Sequence, residues 1–277
     1  MTAVGRGEPF RTASWFERAT ARFRGERQRA APRLLRRAHE FVLDRLPGDH
    51  LVSTLPGGER IRAAARYRQL SWNPEEYRAF RDAVHPGAVV LDVGANVGSY
   101  TLLFAMWAGP GGRVFAFEPA PDAREGLRQH VVLNRVADRV EIIPSAAAEH
   151  AGSAKLQVDG ASGGNTLIDA GLPTGPTIEV ETTSLDAFCR ARGLVPDVVK
   201  IDVEGAELDV LRGARSVLAQ PEVRAFVEFH PTIWKLRGVP ADAMRFELAE
   251  QRLVAEPLAP ALDIWETEGI AVRLRRA

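Results

Sequence analysis

Hydrophobic positions follow two different periods along the chain. Before residue 47 they recur at helical spacing, as Trp15, Phe16, Ala19 and Phe23 and again as Leu34, Leu35, Ala38, Phe41 and Val42, with Pro32 between the sets. This predicts one or two amphipathic helices interrupted near the proline. Residues 50–55 and 60–65 then read as a hairpin around Pro56-Gly57-Gly58-Glu59, a run that supplies turn geometry. Asn73 reads as the cap of a helix over 74–84, with Glu75 and Glu76 near its positive end.

From residue 88 the pattern alternates between strand and helix. Residues 88–93 are apolar apart from Asp92, as a parallel strand covered on both faces requires. Helix 98–108, strand 113–117, helix 122–134 and strand 140–144 follow. Short β segments at 154–158 and 177–181 flank the glycine-rich stretch 159–165. Then come helix 184–192, strand 198–203, helix 207–218, strand 223–229, helix 240–251 and a closing antiparallel hairpin of 253–256 and 270–274. This order predicts an α/β, doubly wound, mostly parallel sheet with helices on both faces. Three parts are expected: a helical segment 1–48, a hairpin and helix over 49–87, and a ligand-binding domain over 88–277.

Composition narrows the function classes. Lys+Arg and Asp+Glu are both 36, so the net charge is zero and a general nucleic-acid binder is disfavoured. A single cysteine, Cys189, excludes a disulfide framework and a cysteine-cluster zinc site. No apolar run is long enough for a membrane helix, and the first residues lack a secretory apolar core, so the expectation is a cytoplasmic enzyme. Residues 1–46 carry eleven arginines against five acids. They read either as a surface for an anionic partner or as a solvated helical face.

In open α/β sheets ligands sit beyond the carboxyl ends of the strands. The first such end reads Asp92-Val93-Gly94-Ala95-Asn96-Val97-Gly98-Ser99, where Gly94 and Gly98 permit a tight turn and close approach to a helix start. The second reads Glu118-Pro119, an acid placed to accept both hydroxyls of a ribose. A nucleoside-containing cofactor follows. Asn96 and Ser99 stand where the dinucleotide fingerprint needs glycine, and the chain has no phosphate loop. A ligand with ribose and adenine but no phosphate fits better, which points to S-adenosylmethionine.

The segments Val89–Thr101, Phe115–Pro119 and Val199–Glu207, with their Asp-Val-Gly-Ala-Asn-x-Gly and Lys-Ile-Asp-Val-Glu-Gly motifs, resemble the FkbM family of S-adenosylmethionine-dependent methyltransferases. The resemblance covers residues 50–230. It implies a class I methyltransferase, Rossmann-like, with a seven-stranded sheet, and O-methylation of hydroxyls on sugars or natural-product scaffolds. It places Asp92, Gly94, Ala95, Asn96 and Gly98 at the methionine end of the cofactor, Glu118 and Pro119 at the ribose, and Ser145 and Ala146 by the adenine.

Methyl transfer from an activated sulfonium needs alignment and a proton acceptor for the hydroxyl. The last two central strands deliver Asp202 and Glu204, then Glu228 and His230. If the strand persists, Asp202 and Glu204 point the same way and Val203 points away. His230 reads as the base or as a satisfied buried histidine. Asp202 reads as a cofactor or metal contact, Glu204 as a site acid or helix cap, and Lys200 as a buried ion-pair partner. A divalent ion on Asp202 and a second carboxylate is open, without a dedicated cage. Trp72, Trp234 and Trp265 read as acceptor-pocket walls or core, and Cys189 as core. Segments 159–165 and 234–239 are candidate covers of the site. The expected partner is a small-molecule or glycosidic hydroxyl acceptor. A macromolecular acceptor, a non-catalytic adenosyl-ligand-binding protein and a nicotinamide-dependent oxidoreductase are the alternatives, and oligomeric state is open.

Overall fold

The structure is a computed structural model that describes residues 10–11, 50–158, 166–168, 176–261 and 263–277. The helices expected before residue 47 and the glycine-rich stretch 159–165 lie outside the described residues. The elements run β1 (Phe10–Arg11), β2 (His50–Thr54), β3 (Arg60–Ala64), β4 (Ser71–Trp72), α1 (Pro74–Ala83), β5 (Val89–Val93), α2 (Ser99–Ala108), β6 (Arg113–Phe117), α3 (Pro121–Leu133), β7 (Val140–Ile143) and β8 (Ala146–Ala147). They continue with β9 (Gly152–Gln157), β10 (Thr166–Ile168), β11 (Thr177–Thr183), α4 (Leu185–Arg192), β12 (Val198–Ile201), α5 (Glu207–Arg212), α6 (Arg215–Leu218), β13 (Arg224–Phe229), α7 (Pro231–Leu236), α8 (Ala241–Glu250), β14 (Leu253–Pro257) and β15 (Ile270–Arg276).

The main sheet is seven-stranded, in the order β14-β15-β13-β12-β5-β6-β7. Only β15 runs antiparallel to its neighbours; β13, β12, β5, β6 and β7 pair in parallel. Because strand side chains alternate faces, Val90, Val114, Val198 and Phe226 meet the layer of α1, α2 and α3. Leu91, Phe115, Val199 and Val227 meet α4, α5, α6 and α8 on the opposite face. Burying each such side chain contributes about 1.5–3 kcal/mol. This is the doubly wound, class I methyltransferase-like architecture expected from the sequence. A smaller sheet, β10-β9-β11-β8, flanks it and adds the strand pair Ala146–Ala147 to the region after β7.

Helix α1 lies across the first face. Asn73 caps it, its Oδ1 accepting the Glu75 amide at 2.8 Å. The Asn73 amide donates to the Tyr100 hydroxyl at 2.9 Å and the Trp72 indole to the Ser99 carbonyl at 2.7 Å, which ties α1 to the start of α2. Phe80 packs edge-on against Tyr100, Phe104 and Phe226. The hairpin β2–β3 forms as expected.

Several expectations are corrected. Phe10–Arg11 pairs with Ser71–Trp72 as a short strand, so the helical reading of 1–48 does not hold at those two residues. The strand expected over 198–203 ends at Ile201, and Glu204 has a positive φ of 49°, so alternation does not orient Asp202, Val203 and Glu204. The helix expected over 207–218 breaks in two at Gly213, a position packed so close to the Ala148 carbonyl that any Cβ would overlap it. Segment 234–239 is not a loop over the site at its start: Trp234 belongs to α7 and is buried, and it packs edge-on to Phe229. Trp72 is likewise core, and Trp265 stacks on Phe229. Cys189 is buried core. Among the described residues, no helix is long and apolar enough to cross a membrane.

Candidate active site

The carboxyl ends of β5, β6 and β12 open onto a crevice. Its walls are Gly94 and Asn96 from the first loop, Glu118 and Pro119 from the second, Ala146, Ala147 and Leu156 from the flanking sheet, and Asp202, Val203 and Glu204 after β12. One end is therefore apolar, the centre carries a carboxylate, and the other end is acidic.

The first loop is held from three sides. The Gly94 and Ala95 amides both donate to the Phe117 carbonyl at 3.0 Å. Gly94 has φ +78°, and a Cβ there would overlap the Asp202 carbonyl oxygen, so only glycine lets the loops after β5 and β12 touch. His130 of α3, fully buried, donates from Nδ1 to the Val97 carbonyl at 2.6 Å. Burial holds this imidazole below its ordinary value.

Glu118 faces the centre. Its Oε2 accepts the Asn96 amide and its Oε1 the Ala120 amide, each at 2.8 Å. Burial lifts the carboxyl to about 7, against the pull of those two amides. Strand register sets Lys200 beside Asp92. The Lys200 ammonium lies 3.1 Å from Asp202 Oδ2, 3.6 Å from Asp92 Oδ1 and 3.4 Å from the Gly94 carbonyl. Asp92 is fully buried and its Oδ2 accepts the Thr101 hydroxyl at 2.5 Å. Burial raises Asp92 against the Lys200 charge. Burial also pulls Lys200 down, but the Asp202 and Asp92 charges outweigh it and leave the ammonium raised.

The acidic end gathers side chains from four elements. His230, after β13, has a side chain only 6% exposed; its Nδ1 lies 2.8 Å from Glu207 Oε1. Its Nε2 lies 3.6 Å from Glu204, 3.8 Å from Glu228 and 3.9 Å from Asp202. Burial pulls this ring down, but the bond to Glu207 and the charges of Glu207, Asp202 and Glu204 lift it to about 10. Burial pushes Glu204 to about 7 against the His230 charge, and raises Glu228 well above the usual carboxylate range. Glu207 is fully buried, and its Oε2 also accepts the Trp234 indole at 2.5 Å. Glu76 of α1, also buried, is pushed to about 7 by burial, against a hydrogen bond to Tyr100.

Of the residues expected from the sequence, Gly94, Asn96, Glu118, Pro119, Ala146, Asp202 and Glu204 line the crevice. Asp92 lies behind it, on Lys200 and Thr101. Ala95 and Gly98 shape the loop without lining the crevice, and Gly98 is the residue before α2. Ser145 is half-buried and does not line it; Ala147 does. Glu228 and His230 border the acidic end. The Gly205 amide is capped by Glu207 rather than Glu204. Glu76 and Glu207 were missed as site residues. Glu76 has a legible signal: it shares the i, i+4, i+7 stripe of Phe80 and Ala83, where an acid is out of place unless it has work in the interior.

Residues 92–253 match the family model described as Methyltransferase FkbM domain. The chain is 33% identical over 213 residues to the 31-O-demethyl-FK506 methyltransferase FkbM of Streptomyces tacrolimicus, covering 66% of this chain and 79% of that protein. It is 28% identical over 172 residues to the hexuronic acid methyltransferase AglP of Haloferax volcanii, covering 60% of this chain and 65% of that protein. Among solved structures it is similar to a methyltransferase FkbM from Methylobacillus flagellatus KT, at 15% identity and a TM-score of 0.45, over 72% of this chain and 50% of that one.

Proposed function

The chain belongs to the FkbM methyltransferase family, and from that premise we propose that it methylates a hydroxyl of a sugar or natural-product acceptor with S-adenosylmethionine as donor. It is a methyltransferase; the donor, the hydroxyl and the acceptor class are the proposal. The observation that carries it is the sequence of surfaces along one crevice: an apolar slot, a ribose-competent carboxylate, a glycine turn and an acidic end.

The residues fit that donor on chemistry. Glu118 offers two oxygens to vicinal hydroxyls, and each already accepts one backbone amide, which fixes the carboxylate plane. Ala146, Ala147 and Leu156 give an apolar face for the adenine ring. The start of α2 after Gly98 carries no side-chain cap, so its first amides suit a carboxylate. When bound, the sulfonium supplies an activated methyl group.

The chain's own work is to hold the acceptor oxygen in line and take its proton. Alignment of two bound reactants supplies up to roughly 7–11 kcal/mol in ideal cases. Glu204, 32% exposed at the crevice wall, takes the hydroxyl proton. His230, 6% exposed and tied to Glu207, positions the acids around it. Asp202 is anchored by Lys200, so its other oxygen is fixed toward His230.

Thermal unfolding tests the donor. S-adenosylmethionine and S-adenosylhomocysteine should raise the midpoint and NAD should not, since a ligand binding only the folded state stabilises it by RT ln(1 + [L]/Kd). Radiolabelled methyl transfer to a panel of uronic-acid and polyketide hydroxyls tests the acceptor. A midpoint unmoved by either sulfur compound refutes the reading, as does transfer confined to amines.

A further inference from the structure

We propose that Asp202, Glu228 and His230 form a binding site for one divalent cation, with Mn²⁺ the best match to the donor set. These three present one ligand atom each, all within 4.8 Å of one another. They come from two adjacent strand ends, so the parallel β12–β13 pairing itself brings them together.

Two further observations point to a ligand in their midst. The first is the histidine. His230 has a side chain 6% exposed, yet among the described residues its Nε2 reaches no hydrogen-bond partner and stands 3.6–3.9 Å from three carboxylates. That spacing is too long for a hydrogen bond. Two ligands each about 2.0–2.4 Å from a shared ion lie roughly 3–4 Å apart, so it suits neighbouring ligands of one cation. The second is what stands behind the ligands. Glu207, fully buried, holds Nδ1 at 2.8 Å and so fixes the ring with Nε2 aimed at the cluster. Lys200 holds Asp202 Oδ2 at 3.1 Å and leaves Oδ1 toward His230. Metal-ligating imidazoles are oriented in this way by a carboxylate on the other nitrogen, and ligating carboxylates are themselves anchored.

The charge agrees. Asp202, Glu204, Glu207 and Glu228 converge here, while the lysine that touches the group, Lys200, is already shared with Asp92. Two carboxylates and one imidazole suit Mn²⁺ better than Mg²⁺, which prefers all-oxygen sets, and better than a thiolate-seeking ion. Three protein ligands leave coordination positions for acceptor oxygens. Ligation uses the deprotonated ring, so uptake releases a proton. The cation's role in holding the acceptor hydroxyl rests on the methyl-transfer reading above; its binding does not.

The test is Mn²⁺ uptake by the full chain after dialysis against EDTA, followed by calorimetry, with S-adenosylhomocysteine titrated separately. The expected result is one saturable site, weakened roughly tenfold or more in both Glu228→Gln and Asp202→Asn. Each variant must keep its unfolding transition, and Glu228→Gln, which does not line the crevice, must also keep its S-adenosylhomocysteine affinity, so that lost uptake is not lost folding; if one variant misfolds, the other decides. No saturable uptake at roughly millimolar Mn²⁺, the weak limit for such sites, overturns the proposal, as does uptake unchanged in both variants. S-adenosylhomocysteine binding without Mn²⁺ uptake removes the cation site and leaves the methyl-transfer reading intact. Mn²⁺ uptake without nucleoside binding does the reverse.

Discussion

Glu118 accepts the backbone amide of Asn96 at 2.8 Å, a bond that joins the loop after β5 to the loop after β6. The carboxylate that would read a ribose is thus also the brace of the glycine turn. Burial lifts its carboxyl to about 7, against 4.5 in an unfolded chain. The folded-state value is the higher one, so the folded protein holds the proton more tightly. Its contribution favours folding below pH 4.5 and is lost as pH rises through about 7, on the order of 3 kcal/mol in all. Ribose hydroxyls need the ionised form, so nucleoside affinity should rise over the same window in which unliganded stability falls. Glu118→Gln should flatten both profiles. Unfolding midpoints and S-adenosylhomocysteine titrations between pH 5.5 and 8.5 check this, and parallel rather than opposed trends count against it.

Gly94→Ala should be disproportionately harmful for one methyl group. The residue sits at φ +78° with the Asp202 carbonyl where Cβ would go. Strain of this kind costs about 1–3 kcal/mol, and relief requires the loops after β5 and β12 to part. Both a lower unfolding midpoint and weaker nucleoside binding are expected; a midpoint equal to that of the parent protein would show that the contact gives way freely.

Lys200→Met removes the ammonium that Asp92 faces at 3.6 Å, in a place where the two side chains are 6% and 1% exposed. Leaving a buried carboxylate without its partner costs about 3–5 kcal/mol. Adding Asp92→Asn should restore part of that loss, because the uncompensated charge goes with it. A double-mutant cycle with no coupling between the two positions would contradict this account.

The strand ends were legible because each follows an apolar run that burial on both faces demands, as Val89–Val93 and Arg113–Phe117 show. Glu118 could be read from its place just past such a run. What the pattern did not carry depends on contacts distant in sequence. The helix breaks at Gly213, where the Ala148 carbonyl, distant in sequence, occupies the space a Cβ would need. Asp202 and Glu204 reach the crevice through an irregular turn with Glu204 at φ 49°, not through strand alternation. Glu76 reads as an ordinary first-turn acid unless its place on the stripe of Phe80 and Ala83 is weighed, and the docking of α1 against Tyr100 is what gives that inward place its partner. Glu207 likewise looks like a helix-start acid, and its bonds to His230 and Trp234 cross more than twenty residues of chain.

Glu204→Gln separates binding from chemistry at the acidic end. The side chain lines the crevice and is 32% exposed, so the amide fits without repacking the core. It makes no hydrogen bond to the loop after β5 and does not cap α5, whose Gly205 amide is held by Glu207. Stability and S-adenosylhomocysteine affinity should therefore stay near those of the parent protein. Turnover should fall by about 10²–10⁴-fold, the span that a positioned proton acceptor supplies, with the fall in kcat rather than in KM for the acceptor. Glu207→Gln makes the contrast: it keeps the shape but weakens the grip on His230 Nδ1 and the Trp234 indole. It should lower the unfolding midpoint as well as turnover, by about 1–3 kcal/mol for a buried group left poorly paired. If Glu204→Gln turns over at the parental rate while Glu207→Gln loses activity at unchanged stability, the proton goes to His230 instead.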